Sequence, residues 1–322
     1  MSTPAASRDH LADAYRGPII DTHLHAFAVD VPGPGRPGAV PAAVCVGYGA
    51  NLAYDCARPW AAELAAMRKQ PRGAEPIWAA LTDDELREQT LDTMAMFDIR
   101  GVVSGPPDLV RSYRRAAPDR VIPGIEFDLE RFDYTPADVA ALLDDGFAVL
   151  GEITDQYNGT LMDDPRLDPY WDLAAHRDVP VAIHTGVGPP GAPSVYPGFR
   201  AALHSPLGLE HLLTRHPTLR VWACHAAWPM LDDLKVMLYN YPQLYVDTGS
   251  LQMVIPRTEY YRFLHALIDA GFIDRIMYGS DQIIYPGLIE LGIRAINDAP
   301  FLDATQKKAI LHDNAARFLR LN

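Results

Sequence analysis

The chain has 322 residues, of which 48% are hydrophobic, so it is long enough for one large domain and too apolar for global disorder. Its 28 Lys and Arg residues against 41 Asp and Glu residues give a formal net charge of −13. This charge argues against a nucleic-acid partner, because nucleic acids are bound mainly by clustered cations. The three cysteines form no CxxC pair, which excludes a disulfide scaffold and is typical of a reducing compartment.

The beginning of the chain has no apolar stretch of the kind found in secretory signals, and no run of 18 apolar residues occurs. We therefore expect a cytoplasmic protein with no membrane partner.

Short apolar segments rich in β-formers alternate with longer helical patterns along the chain. The predicted strands are 18–27, 101–105, 121–127, 147–153, 179–185, 220–226, 244–249 and 275–280. Predicted helices cover 82–97, where Thr82 and Glu85 have the spacing of a capping box, and a segment that begins at Thr135-Pro136. Apolar residues at spacings of three and four predict helices in 167–178, 207–216, 230–240, 259–271 and 305–320.

Eight strands that alternate with amphipathic helices predict a parallel sheet covered by helices. This repeat favours an α/β fold closed into a (β/α)8 TIM barrel, and an open doubly wound sheet is the alternative. We expect a single domain over residues 1–322, with a long insertion at about 28–80 after the first strand and an extra helix at the C-terminal end.

Histidines stand at the predicted end of the first strand, where the chemistry of such barrels lies. His23 and His25 are two positions apart, so both imidazoles face the same side of the strand. Protonating both imidazoles would place two positive charges close together in a region of low dielectric constant, which costs free energy. Neutral imidazole, in contrast, is a preferred zinc ligand. The pair predicts a metal site, and the alternative is two structural histidines bonded to backbone carbonyls.

Four later strand ends carry further candidates. His184 is predicted to be a third nitrogen ligand, and Asp281 either a metal-binding proton acceptor or a helix N-cap. His225 is predicted to bind a second metal ion or to act as a free acid or base. Glu152 is predicted to be a metal ligand or a group that orients one.

The segments around these residues follow one order along the chain: IIDTHLH, VAIHTG, VWACHAAWP, YVDTG, RIMYGSDQ and KKAILHDNAARFLRL. In this order the chain resembles the amidohydrolase superfamily, specifically the amidohydrolase-related branch of metal-dependent TIM-barrel hydrolases and decarboxylases. The likeness runs from about residue 18 to residue 321. It implies a divalent ion, Zn²⁺ or another such as Mn²⁺, and a small-molecule substrate.

Two features depart from the patterns of that superfamily. Many binuclear members use a carbamylated lysine at the fourth strand, but none of the four lysines here stands at a strand end, and Glu152 is the substitute. Decarboxylases of the branch typically carry a glycine-rich stretch after the sixth-strand histidine, where this chain reads Ala226-Ala227-Trp228-Pro229. The second departure favours hydrolysis over decarboxylation.

We expect one ion held by His23, His25, His184 and Asp281, with Glu152 in or next to the coordination shell, and two ions are the alternative. Loops after the strands offer substrate-binding candidates: Tyr157, Arg200, Trp228 and Arg257. The two arginines have the chemistry to hold a substrate carboxylate bidentately. Aromatic residues of the insertion (Tyr48, Tyr54 and Trp60) form either a lid, a subunit contact or surface decoration.

The leading hypothesis is a metal-dependent hydrolase of an amide, a lactone or a related carboxylic derivative. In it, Asp281 accepts a proton and His225 stabilises or protonates the tetrahedral species. The alternatives are a non-oxidative decarboxylase of a small carboxylic acid and a catalytically inactive metal-binding protein. The sequence leaves a homo-oligomer open.

Overall fold

The computed structural model describes residues 14–33, 36–38, 40–47 and 76–321, together with Ala66 and Lys69. Tyr48, Tyr54 and Trp60 lie outside these residues, so their role as a lid, a subunit contact or surface decoration is not tested.

Eight parallel strands of the described chain form one sheet in chain order. They are β1 (Ile19–His25), β2 (Ile99–Gly105), β3 (Val121–Phe127), β4 (Val149–Ile153), β5 (Val181–Ile183), β6 (Val221–Ala223), β7 (Leu244–Asp247) and β8 (Ile276–Met277). Backbone hydrogen bonds from Thr22 N to Tyr278 O (2.9 Å) and from Asp281 N to His23 O (2.8 Å) join the last strand to the first. The predicted (β/α)8 barrel is confirmed, and the open sheet is wrong because these bonds bring its two edges together.

Helices follow the strands and cover the outside of the barrel. Within the described residues, the α-helices are α1 (Asp83–Met96), α2 (Pro107–Ala116), α3 (Pro136–Asp144), α4 (Asp168–His176), α5 (Glu210–Arg215), α6 (Leu231–Asn240), α7 (Leu251–Val254), α8 (Arg257–Asp269), α9 (Gly287–Asn297), α10 (Ala304–Lys308) and α11 (Asn314–Leu319). Short 3₁₀ turns cover Asp155–Asn158, Ala192–Ser194, Ala201–His204, Pro206–Leu209, Cys224–Ala227 and Ile273–Arg275.

The capping signals act at both predicted helix starts. The Thr135 side chain accepts a hydrogen bond from Asp138 N, and the Asp138 side chain accepts one from Thr135 N, which completes a capping box. Thr82 caps α1 by accepting from Glu85 N at 3.1 Å. The Glu85 carboxylate accepts instead from Leu81 N, so only half of the predicted box forms there.

The predicted C-terminal helix is interrupted and closes the amino-terminal end of the barrel. A π-helical segment, Ala309–Asp313, separates α10 from α11. The Asn314 side chain donates to the carbonyl of Ile276 at 2.7 Å, and Phe318 packs on the ring of Trp222. These contacts place the helix beneath the strands, opposite to the end at which the strands terminate.

The described parts of the insertion lie on the loops that follow β7 and β8. Its two short antiparallel pairs are Pro32–Gly33 with Arg36–Pro37, and Ala43–Val44 with Ile77–Trp78. Backbone bonds run from Gly47 N to Met253 O (2.6 Å) and from Ala80 N to Ile284 O (3.0 Å). The insertion therefore leaves from the carboxyl ends of the strands, as its position after β1 requires. No helix in the described ranges is long and apolar enough to cross a bilayer.

Candidate active site

His23, His25 and Asp281 meet at the carboxyl ends of the adjoining strands β1 and β8. Nε2 of His25 lies 3.1 Å from Oδ1 of Asp281, and Nε2 of His23 lies 3.8 Å from the same oxygen. The two imidazole rings lie on one side of β1, with centroids 5.0 Å apart, as their spacing predicts. All three side chains are buried, and one ligand atom from each lies within 4.8 Å of the others.

Glu152, His184 and His225 form a second group of three on β4, β5 and β6. Oε1 of Glu152 lies 2.9 Å from Nδ1 of His184 and 3.1 Å from Nε2 of His225. Oε2 of the same carboxylate lies 3.5 Å from Nε2 of His23. His184 lies beside Glu152 because β5 pairs with β4, and its place in one ligand set with His23 and His25 stays a prediction. Glu152 belongs to the second group and also approaches His23 of the first.

Two glycines allow the backbone to approach closely around these side chains. A Cβ atom on Gly151, whose φ is +140°, would lie 2.5 Å from both Cβ and O of Ala182 on β5. A Cβ atom on Gly279 would lie 2.8 Å from Cβ of His23. Larger residues at either position would displace the neighbouring strand or the metal-binding candidates on it.

The buried carboxylates of the site are stabilised by positive charge. Burial alone would raise the pKa of Glu152 and of Asp281, but His23 and the other histidines hold both pKa values below their ordinary range. Burial alone would lower the pKa of His23, yet Asp247 and the nearby carboxylates raise it well above its ordinary value. A divalent ion bound here would supply the same positive charge in place of the histidine protons.

The buried nitrogens of the site fit such an ion. Nε2 of His23 is buried and has no hydrogen-bond partner among the described residues, while Nδ1 of that ring lies 2.9 Å from Oδ2 of Asp247. Metal-binding histidines commonly donate one ring N–H to a carboxylate and present the other nitrogen to the metal. Imidazole nitrogens with carboxylate oxygens form a donor set that suits zinc or manganese.

Asp281 and His225 are held by further contacts at the cavity floor. The hydroxyl of Ser250 donates to Oδ2 of Asp281. Nδ1 of His225 lies 3.0 Å from the carbonyl oxygen of Gly249, so this nitrogen carries a proton and donates it to the carbonyl. Nε2 of His225 faces Glu152 and His184, at 3.1 Å from Oε1 of the carboxylate and 3.1 Å from Nδ1 of the ring. Burial lowers the pKa of His225, but the hydrogen bond and charge of Glu152 outweigh it and raise that pKa.

A cavity opens at the carboxyl ends of the strands above these groups. Its floor contains His25, Glu152, His184, His225 and Asp281. Its walls are mainly apolar, with the side chains of Phe27, Tyr157, Val187, Pro189, Leu251, Met253, Val254 and Ile283. The polar wall residues are Glu126, Thr154 and Ser250. The cavity thus joins a strongly polar floor to a wall suited to an apolar substrate body.

Of the predicted substrate-binding residues, Tyr157 lines this cavity. Its ring centroid lies 4.8 Å from that of His184. Trp228 is half-buried and its Nε1 donates to Oε1 of Glu259 at 3.1 Å, outside the cavity lining.

The two predicted arginines lie away from the cavity. Arg200 is exposed and donates to the carbonyls of Pro197 (2.8 Å) and Phe199 (2.7 Å) in its own loop. The Arg257 guanidinium lies 5.6 Å from the ring centroid of Tyr261 on the same helix. A bidentate arginine clamp on a substrate carboxylate therefore has no support in the geometry of the described residues.

Sequence reasoning missed three residues of the site. Glu126 ends its strand, VIPGIEF, much as Glu152 ends FAVLGEI, and that likeness is a signal from which it could have been found. His204, from the loop after β5, is buried with its ring centroid 5.1 Å from that of His184. Ser250 has no recognisable sequence signal, because its role depends on the position of Asp281.

Solved structures similar to this chain share its barrel. An uncharacterised TIM-barrel protein from Bordetella bronchiseptica is 20% identical with a TM-score of 0.59, over 94% of this chain and 99% of that chain. A probable 2-pyrone-4,6-dicarboxylic acid hydrolase from Acinetobacter baumannii, with citric acid bound, is 13% identical with a TM-score of 0.60, over 95% of this chain and 100% of that chain. At these identities the likeness shows the fold.

A third similar structure is 5-carboxyvanillate decarboxylase from Novosphingobium aromaticivorans complexed with manganese. It is 16% identical with a TM-score of 0.53, over 73% of this chain and 80% of that chain. No curated protein sequence matches the chain. The sequence profile of the amidohydrolase family, in contrast, matches residues 20–321, and the chain therefore belongs to the amidohydrolase family.

Proposed function

We propose that this protein is a metal-dependent hydrolase that cleaves an amide, a lactone or a related carboxylic derivative. The observation that carries the proposal is the position of Asp281. Its carboxylate lies at the cavity floor. Oδ1 of Asp281 is 3.1 Å from Nε2 of His25, and Oδ2 is 3.9 Å from Nδ1 of His225. A proton acceptor, metal-binding candidates and a second proton carrier are thereby gathered at one point of the cavity.

We assign one divalent ion, Zn²⁺ or Mn²⁺, to His23, His25 and Asp281, with His184 and Glu152 completing the set. When bound, such an ion lowers the pKa of a water molecule to about 7 and polarises the substrate carbonyl. The buried, unpartnered Nε2 of His23 supports this assignment.

The residues of the chain then divide the proton transfers between them. Asp281 takes a proton from the attacking water, while the Ser250 hydroxyl keeps its carboxylate oriented. His225 delivers a proton from Nε2 to the leaving group, because Nδ1 is engaged with the carbonyl of Gly249. The apolar wall excludes bulk water from the substrate body.

We favour hydrolysis over decarboxylation because the residues after the sixth-strand histidine, Ala226-Ala227-Trp228-Pro229, depart from the glycine-rich stretch that is typical of decarboxylases of this branch.

The test is an activity measurement in ¹⁸O-labelled water with metal-loaded protein and a panel of lactones, amides and hydroxybenzoates. We expect label in a newly formed carboxylate.

His23→Ala should lose bound metal and activity together, whereas Asp281→Asn should lose far more activity than metal. His265→Ala, on the exposed face of α8, is the matched control and should change neither. Release of CO₂ without a labelled carboxylate would make the protein a decarboxylase, and turnover by metal-free Asp281→Asn would contradict the mechanism.

A further inference from the structure

Glu126 places a second carboxylate in the cavity, apart from the metal-binding candidates. It lies on β3, where side chains alternate between the lumen and the surrounding helices. Ile122 is one of the residues that fill the lumen, whereas Ile125 and Phe127 pack in the outer core. Glu126 shares the face of Ile122 and is 4% exposed, so its carboxylate forms part of the cavity wall.

The cation that accompanies Glu126 lies outside the cavity. Nη2 of Arg131, on the loop after β3, donates to Oε1 of Glu126. The Arg131 side chain is 29% exposed, and its guanidinium lies 4.8 Å from the ring centroid of Phe132 rather than in the cavity lining. The ion pair therefore holds in place a carboxylate that also lines the cavity.

We infer that Glu126 determines specificity by selecting substrates whose apolar body carries a hydrogen-bond donor, an ammonium or hydroxyl group, and by rejecting those with a carboxylate there. This inference rests on the proposed function and names the substrate class for the same site. A carboxylate on a buried wall accepts such donors strongly. Arg131 is already paired with Glu126, so a substrate carboxylate placed beside Glu126 would find no arginine or lysine among the described residues that line the cavity. The mainly apolar remainder of the wall suits an aromatic or branched aliphatic body.

Metal-anchored probes test this inference on the metal-loaded full chain. The probes are benzohydroxamate, which chelates a divalent ion, and its 3- and 4-aminomethyl and 3- and 4-carboxy derivatives, with affinities measured by calorimetry. We expect the better aminomethyl probe to bind at least about tenfold more tightly than either carboxy probe, the size of one charge-assisted hydrogen bond. In Glu126→Gln this ratio should fall towards one, with unchanged affinity for benzohydroxamate.

Arg131→Gln gives a second, opposite readout. It removes the cation and leaves the Glu126 carboxylate, so the preference for the aminomethyl probe should rise. Met253→Leu, on the apolar wall, should alter all affinities alike and keep the ratio. This pair of charge variants keeps the inference testable if Glu126→Gln fails to fold.

The outcomes separate the two proposals. The inference is overturned, and the proposed function stands, in either of two cases in which benzohydroxamate binds. In the first, the unmodified protein binds the aminomethyl and carboxy probes about equally. In the second, the preference for the aminomethyl probe remains in Glu126→Gln. If no hydroxamate binds to protein that contains metal, the proposed function and the inference fall together.

Discussion

Oδ2 of Asp247 lies 2.9 Å from Nδ1 of His23, although β7, which carries the aspartate, does not pair with β1. The same oxygen accepts from Nε1 of Trp222 at 3.1 Å, and Oδ1 accepts from the backbone N–H of His225 at 2.8 Å. One buried carboxylate thus contacts both a metal-binding candidate and the backbone of His225, the proposed proton donor. We therefore propose that Asp247 is a positioning residue.

The first prediction concerns this positioning. Asp247→Asn should lower metal affinity by about 10–100-fold, because the amide no longer favours the His23 tautomer that presents Nε2 to the metal. Competition against a fluorescent chelator measures the affinity. Asp269→Asn, at an exposed position on α8, is the control and should bind metal as the unmodified protein does. Equal affinity in the two variants would show that Asp247 does not orient the ligand.

The second prediction concerns the number of ions. Glu152 contacts His184 through one carboxylate oxygen and approaches His23 through the other, so it is the side chain that a second ion would require as a bridge. We expect protein purified without chelator to contain about one ion per chain, as a single open site with a water position requires. Elemental analysis measures this ratio. A value near two that falls to one in Glu152→Gln would establish a binuclear centre, with His184 and His225 holding the second ion.

The third prediction concerns pH and a carboxyl group outside the metal-binding candidates. Burial, with the nearby charge of Asp128, raises the pKa of Asp155 to about 7. Its value in the unfolded chain is about 3.9. At pH values between these two pKa values, the Asp155 carboxyl is protonated in the folded state and ionised in the unfolded state. Its contribution to the free energy of unfolding therefore falls as pH rises from about 4 to 7, by up to about 1.4 kcal/mol per pH unit.

Asp155→Asn removes that titration while keeping an oxygen that can accept from the backbone N–H of Leu129, a bond of 2.8 Å in the structure. Relative to the unmodified protein, the variant should therefore gain stability as pH rises from 5 to 7, with little further change above 7. Urea unfolding at pH 5, 6, 7 and 8 measures the difference, and Asp163→Asn at an exposed position is the control. Parallel stability curves for Asp155→Asn and the unmodified protein would contradict the prediction.

Much of the fold was predictable because its signals are local. The alternation of apolar segments with amphipathic helices predicted all eight strands in their observed order. The spacing of His23 and His25 predicted that both rings share one side of β1, since side chains alternate along any strand. The insertion and the closing C-terminal helix were also predicted, but the π-helical break at Ala309–Asp313 has no comparable signal in the sequence.

The polar side chains that end the strands can be read from the sequence, but which of them come into contact depends on how the barrel folds. His184 contacts Glu152, and Asp247 reaches His23 across 224 positions of the chain. Glu126 enters the cavity, while Arg200 remains in solvent. Successive side chains of a strand point to alternate sides because of that strand's own backbone geometry. The distances between strand ends, in contrast, depend on how the closed barrel brings together segments that are remote in sequence.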